Sequence, residues 1–367
     1  MTWLAAQTTR AASSIAESGV VPDVVSRYGI RRLLGRRLLQ EGIRLPAEHQ
    51  LAQQAQLLGQ LQGGAIAEAT DAANEQHYEL PAEFFEQVLG PRKKYSCCWF
   101  GPDDAEPWAP FTGRRPTPDA DALADAEDAM LARTCETAQL LDGMRVLDLG
   151  CGWGSMTLWI AQHYPNCQIT SVSNSASQRA FIEGQAAARG HDNVSVITAD
   201  VNELELDQSF DRIISIEMFE HTRNWGELFG RLRRWISDEG RVLIHVFCHR
   251  QLAYLFDARH SHDWMSSHFF TGGLMPSDDL VARATDAFSV EEQVRYNGHH
   301  YEATANAWLA NLDRRRDYVL DIFDDVYGAD APMWLHRWRL FFMACAELFA
   351  YDNGTEWYVS HYRLAPR

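Results

Sequence analysis

The 367-residue chain has no long apolar run. Its longest, 340–350, is interrupted by Glu347 and falls well short of the roughly 20 residues that span a bilayer. Positive charge is also scarce: 33 Lys and Arg stand against 50 Asp and Glu, a net of −17. That argues against a general nucleic-acid surface, since phosphate binding needs concentrated Lys and Arg. Seven cysteines are scattered at 97, 98, 135, 151, 167, 248 and 345, odd in number and without a C-x-x-C pair. They read as thiols in a reducing compartment. Nor do the 14 histidines show metal-ligand spacing, so no metal is expected. The first residues lack a charged head followed by an apolar stretch, so no signal peptide is expected and the location expected is the cytoplasm.

What is present is an ordinary globular composition and one organising stretch, 146–154, reading VLDLGCGWG. An apolar strand runs into an acid, then a glycine-rich turn, then a helix opening near Ser155. Glycines at 150, 152 and 154 let the backbone turn tightly and lie close to a ligand. A strand feeding such a turn opens a nucleotide-binding α/β unit, with the ligand at the carboxyl ends of the strands. The spacing is G-x-G-x-G, neither the dinucleotide G-x-G-x-x-G nor a triphosphate loop, and alone it would also fit a plain tight turn.

From residue 145 apolar segments of strand length alternate with helical patterns. Strands are expected at 145–149, 168–173, 194–199, 212–216 and 241–246, with helices at 155–163, 176–189 and 225–236 between them. That alternation predicts a parallel sheet covered on both faces. Late segments 291–296 and 356–364 alternate polar and apolar residues like strands. Two long insertions interrupt this part, 248–287 and 303–351, rich in Trp, Phe, Tyr and His. Loops that long should fold, so they are read as a lid. His260, His262, His299 and His300 read as its polar residues, and most of its aromatics as its own core. An aromatic lid over the strand ends suits an apolar or aromatic substrate.

Residues 1–70 read as helical and rich in Gln, Ala and Leu, with seven Arg and four Asp or Glu in 1–60, a net of +3. In 29–40, Arg31, Arg32, Arg36 and Arg37 lie beside Leu33, Leu34, Leu38 and Leu39. The favoured reading packs the leucines on the domain and solvates the arginines; the other is an amphipathic helix on an anionic membrane. Residues 71–110, with His77, Tyr78, Glu79 and then 94–100, read as a leading segment, and proline-rich 101–120 as a loop. A helix follows at 119–141.

Asp148-Leu149-Gly150-Cys151-Gly152 resembles the first motif of class I S-adenosylmethionine-dependent methyltransferases. Lys94-Tyr95-Ser96-Cys97, SVSNSASQ at 171–178, Met218-Phe219-Glu220-His221 and 301–308 fall in the order of the cyclopropane-fatty-acid synthase superfamily. Within it the chain resembles the coclaurine N-methyltransferase branch over roughly 31–361. The resemblance implies a Rossmann-like, seven-stranded, mostly parallel sheet whose last strand is antiparallel. The domains expected are an N-terminal helical, cofactor-covering part at 1–120, the core at 121–249, a lid insertion at 250–290, and the end of the sheet at 291–367 with a helical lid insertion at 303–351.

The cofactor implied is S-adenosylmethionine. The turn at Tyr95 and Ser96 would cover its amino-acid end, above the bend at Gly150 and Gly152. Asn174 and Gln178, at the second strand end, can bond the ribose diol as neutral groups, where many methyltransferases place an acid. Asp200 could accept from the adenine amine and Val201 offer its N–H. Glu217 and His221 begin where the fourth strand ends and, on a helix, would share a face. An ammonium substrate must lose a proton before nitrogen can attack, and a carboxylate with an imidazole can take it. The resemblance makes these two the catalytic pair, with Glu220 beside them. The rival reading methylates an acyl-chain double bond, with a bicarbonate ion as base held by Cys97, Glu220, His245 and Tyr301. Glu217 favours the amine, since the lipid enzymes carry glycine there. A cofactor-binding protein without turnover is a third reading. The partner expected is a small amine; a membrane surface enters only with the lipid reading, and a homodimer is left open.

Overall fold

The computed structural model describes residues 15–68, 80–102, 106–108, 120–256 and 264–367. His77 to Glu79, His260, His262 and the proline-rich stretch 109–119 lie outside the described residues. Among the described residues, helical residues 15–17 are followed by α1 (Asp23–Gln40), α2 (Ala47–Gln60) and α3 (Ala82–Val88). Each of these three helices follows a proline, at 22, 46 and 81. Proline's fixed φ and missing N–H cost nothing there, because the first N–H groups of a helix have no intrahelical partner. Then come α4 (Ala120–Thr137) and the alternating core: β1 (Arg145–Leu149), α5 (Ser155–His163), β2 (Gln168–Ser173), α6 (Ala176–Ala188), β3 (Val194–Thr198), β4 (Phe210–Ile216), α7 (Trp225–Trp235) and β5 (Ile236–His249). The first insertion holds β6 (Tyr254–Leu255), α8 (Trp264–His268), β7 (Leu274–Met275) and α9 (Leu280–Arg283). The chain ends with β8 (Phe288–Tyr296), α10 (His299–Arg314), α11 (Arg316–Tyr327), α12 (Ala331–Phe349) and β9 (Trp357–Pro366).

Seven strands form one sheet in the order β3-β2-β1-β4-β5-β9-β8. The first five are parallel neighbours, and β9 runs antiparallel between β5 and β8. The order reverses direction between β1 and β4, so a crevice opens at their carboxyl ends. β5 is longer at both ends than the apolar run 241–246 indicates: Ile236 pairs with Phe210 of β4 at one end, and the pairing with β9 runs on to His249 opposite Trp357 at the other. The first insertion is not all helical: β6 and β7 pair as a two-stranded ribbon. In the second, Trp308, Trp338, Phe341 and Phe342 are buried among the helices, as lid core. No helix among the described residues is long and apolar enough to cross a membrane.

The favoured reading of α1 holds for Arg32 and Arg36, which are exposed, and only in part for its leucines. Leu38 is buried and Leu34 packs on the core, but Leu33 and Leu39 are exposed. Arg27 and half-exposed Arg31 reach opposite oxygens of Glu347 on α12, at 3.0 and 2.5 Å, and Arg37 lies over the Tyr254 ring. A buried carboxylate needs charged partners, and that demand outweighs the helix's own apolar pattern.

Candidate active site

The turn after β1 is pinned to β2, because the N–H groups of Gly150 and Cys151 both donate to the Val172 carbonyl, at 3.0 and 2.9 Å. Gly150 has φ +82°, and a Cβ there would lie 2.6 Å from Met218 Cγ. Only glycine fits both demands. Beneath the turn, buried Asp148 accepts from Thr157 Oγ1 at 2.6 Å. Burial pushes its carboxyl up to about 6, against the pull of that hydrogen bond.

At the end of β2, Ser175 caps α6. Ser173 Oγ donates to Gln178 Oε1 at 2.6 Å, which fixes the amide and leaves buried Nε2 without a partner. Gln178 lines a cavity over the strand ends, and its buried donor is left for a partner that the chain does not supply. Tyr95, Ser96, Gly150, Gly152, Asn174 and Val201 line the same cavity, as the sequence predicts. Asp200 does not: its Oδ1 accepts from Asn202 N at 2.7 Å and closes the turn after β3, while Ala199 and Val201 form the wall. Trp153, from the glycine-rich stretch itself, also lines it, as do Ala67 and Thr271, which no pattern in the sequence marks.

Glu217 and His221 both line the cavity, but not as neighbours on an α-helix. Only Phe219–His221 is helical, a single 3₁₀ turn, and Glu217 precedes it at φ +49°. A glutamate in the left-handed region costs about 1 kcal/mol or more, and such strain clusters at functional sites. It aims the carboxylate back across the sheet. Oε1 accepts from Cys97 N at 3.0 Å and faces His245 Nε2 at 3.2 Å, and Oε2 accepts from Tyr301 Oη at 2.5 Å. So Cys97, His245 and Tyr301, three of the four groups foreseen around bicarbonate, converge on the chain's own carboxylate. The fourth, Glu220, is buried outside this cluster: its Oε1 accepts from Phe247 N at 2.7 Å and its Oε2 has no partner. Burial, with the charge of Glu217, drives the Glu220 carboxyl strongly toward its neutral form.

The side chain of Glu217 is only 9% exposed. Burial raises its carboxyl above the ordinary range, against the Lys94 ammonium and the hydrogen bonds from Tyr301 and Cys97. His221 is lowered to about 4 by burial, partly opposed by Glu217, so its imidazole is neutral near pH 7. Lys94 was legible only as part of its motif. The chain's two lysines stand side by side at 93 and 94, and Lys94 is fully buried with its Nζ on Ser96 Oγ. Aromatic rings surround the carboxylate: Tyr301 stacks on Phe349 at 4.2 Å, with Trp308 edge-on, and Phe270 lies parallel to the His221 ring at 5.8 Å.

A parallel sheet with this strand order, a glycine bend under a cavity and a diol-sized amide at the second strand end define the class: an S-adenosylmethionine-dependent methyltransferase of the class I fold. The family profile described as mycolic acid cyclopropane synthetase matches residues 67–357, and the chain belongs to that family. It is 35% identical over 350 residues to an (S)-coclaurine N-methyltransferase of Thalictrum flavum subsp. glaucum, covering 94% of this chain and 92% of that one. It is 31% identical over 287 residues to the cyclopropane-fatty-acyl-phospholipid synthase of Escherichia coli strain K12, covering 78% of this chain and 66% of the relative. The crystal structure of a coclaurine N-methyltransferase bound to N-methylheliamine and SAH superposes with a TM-score of 0.87 at 35% identity, covering 95% of this chain and 97% of that one.

Proposed function

We propose that this chain methylates the nitrogen of a small amine with an aromatic or apolar body. The observation that carries this reading is the hydrogen-bonded carboxylate of Glu217 seated where a soluble base would have to bind. A negative charge there attracts an ammonium, whereas a neutral alkene gains nothing from it. The rings of Tyr301 and Phe349 beside it add cation–π attraction for the same charge. The N-methyltransferases among the relatives support the choice.

S-adenosylmethionine, when bound, supplies an electrophilic methyl group on its sulfonium. The chain's part is to hold that donor through the Gly150–Gly152 bend, Tyr95, Ser96, Asn174, Gln178 and Val201, and to free the acceptor's lone pair. Glu217 takes the ammonium proton directly or through neutral His221; its raised pKa brings it nearer the working pH, where a general base is most effective. Exclusion of water by the lid and alignment of the nucleophile complete the catalysis.

Replacing Gln178 with leucine should weaken cofactor binding by about tenfold, the worth of one or two hydrogen bonds, as read by calorimetry. Incubation with methyl-labelled cofactor and two panels, amines and phospholipids, tests the acceptor. Label is expected in amines; label confined to lipid would replace the amine reading with the lipid one.

A further inference from the structure

Behind Glu217 the hydrogen-bonded chain continues away from the cavity. His245 on β5 stands directly opposite His361 on β9 in the antiparallel register, which brings the two side chains together. His361 Nε2 lies 2.8 Å from His245 Nδ1, and His245 Nε2 lies 3.2 Å from Glu217 Oε1. Both imidazoles are fully buried, and His361 Nδ1 has no partner.

Proton positions follow from counting. A neutral imidazole carries one N–H. A carboxylate oxygen facing His245 Nε2 favours the proton there, which leaves Nδ1 bare. The 2.8 Å contact then requires the proton on His361 Nε2, which leaves His361 Nδ1 as a bare lone pair. That is the atom without a partner, and an unpaired acceptor is tolerated more readily than an unpaired N–H. The opposite arrangement puts a bare His245 Nε2 against Glu217 and fits only a protonated carboxyl. Burial favours neutral rings at both positions, in keeping with this count.

We infer that His361 is a positioning residue for methyl transfer: by donating Nε2–H to His245 it holds His245 as the tautomer that donates to Glu217, and so keeps Glu217 ionised and aimed at the amine. The inference rests on the proposed role of Glu217. The groups that face Glu217 are Lys94 and Cys97 from the leading segment, Glu220 and His221 from its own turn, Tyr301 from α10 and Cys345 from α12. His361 faces Arg133 on α4, Tyr296 on β8 and Lys94. All of these stay in place in the variants below.

The test compares His361→Gln, whose amide N–H can reach the same position, with His361→Leu, which cannot donate. The leucine variant should lose about 10- to 100-fold in kcat for an amine, as removal of such supporting groups does elsewhere, with cofactor affinity unchanged. Its acid limb of kcat/KM should move up by about one pH unit, because a carboxylate that loses a donor binds its proton more tightly. The glutamine variant should stay within about threefold of the parent, with the original limb, as expected when the donated hydrogen bond survives. Long-range ¹H–¹⁵N spectra should show His245 as the Nε2–H tautomer in the parent and the glutamine variant, and as a mixture in the leucine variant. Equal losses in both variants with an unmoved limb, or an unchanged His245 tautomer in His361→Leu, would overturn the inference. Should the leucine variant not fold, His361→Asn, whose amide falls short of His245, takes its place. The spectra need no turnover, so they judge the pairing even if the amine reading fails.

Discussion

Glu217→Gln should lower amine methylation by about a thousandfold, within the range for loss of a general base together with its charge, while cofactor affinity stays within about threefold. The amide keeps the shape of the carboxylate, so the lid and the sheet have no reason to shift. Its oxygen can still accept from one group, but its NH₂ must face either the Tyr301 hydroxyl or His245 Nε2, both donors to the carboxylate. An ammonium then meets no counter-charge and no proton acceptor on this side. Gln178, Asn174 and the glycine bend are untouched, so the donor should still bind. Single-turnover transfer from labelled cofactor, beside a calorimetric titration, separates the two quantities. Equal loss of both would refute the role given to Glu217.

Gly150→Ala should be nearly as damaging, by a different route. At φ +82° a side chain costs about 1–2 kcal/mol, and the new Cβ would meet Met218 Cγ at 2.6 Å and Cβ at 2.8 Å. Overpacking of that kind costs typically about 1–3 kcal/mol more. Met218 follows Glu217 directly, so relieving the contact moves the strained residue that aims the carboxylate. Cofactor affinity and turnover should therefore fall together, by about a hundredfold or more if about 3 kcal/mol is expressed at the site. Gly190→Ala is the control: φ is +72° there, but nothing lies within 4 Å of its Cβ. It should lower the melting temperature slightly and leave cofactor binding unchanged.

Much of the fold was legible because it rests on local signals. The apolar run into Gly150, the strand–helix alternation from 145 and the late alternating segments each show in short windows of sequence, and β1 to β5, β8 and β9 stand at those windows, with β5 extended; the β6–β7 ribbon had no such window. Most of the proposed cofactor wall was legible for the same reason, since it sits at strand ends that periodicity locates. Asp200 stands outside the residues that line the cavity, and its position at a strand end says nothing of Asn202, two residues on, whose N–H its carboxylate accepts. The ion pairs of Arg27 and Arg31 were not legible because their partner, Glu347, is about three hundred residues away and buried.

The acid–base centre was half legible. Glu217 and His221 suit the role by residue type and place and the resemblance singled them out, but the spacing of four suggested an α-helical pair. The left-handed φ of Glu217 is a tertiary outcome, over-determined by three donors from 97, 245 and 301. The same convergence favours one of two chemistries that share nearly all their residues. Cys97, His245 and Tyr301 are present for either one; only their geometry shows that a side chain of the protein already occupies their centre. His361 carries no signal in its own neighbourhood, because only the register of β5 against β9 sets it beside His245.

The most direct test is the dependence of methyl transfer on bicarbonate. In carbonate-depleted buffer, the parent protein should methylate a responsive amine at its full rate, and added bicarbonate should change nothing, because the carboxylate of Glu217 already fills that place. Turnover that collapses on depletion and returns with added bicarbonate would contradict the account.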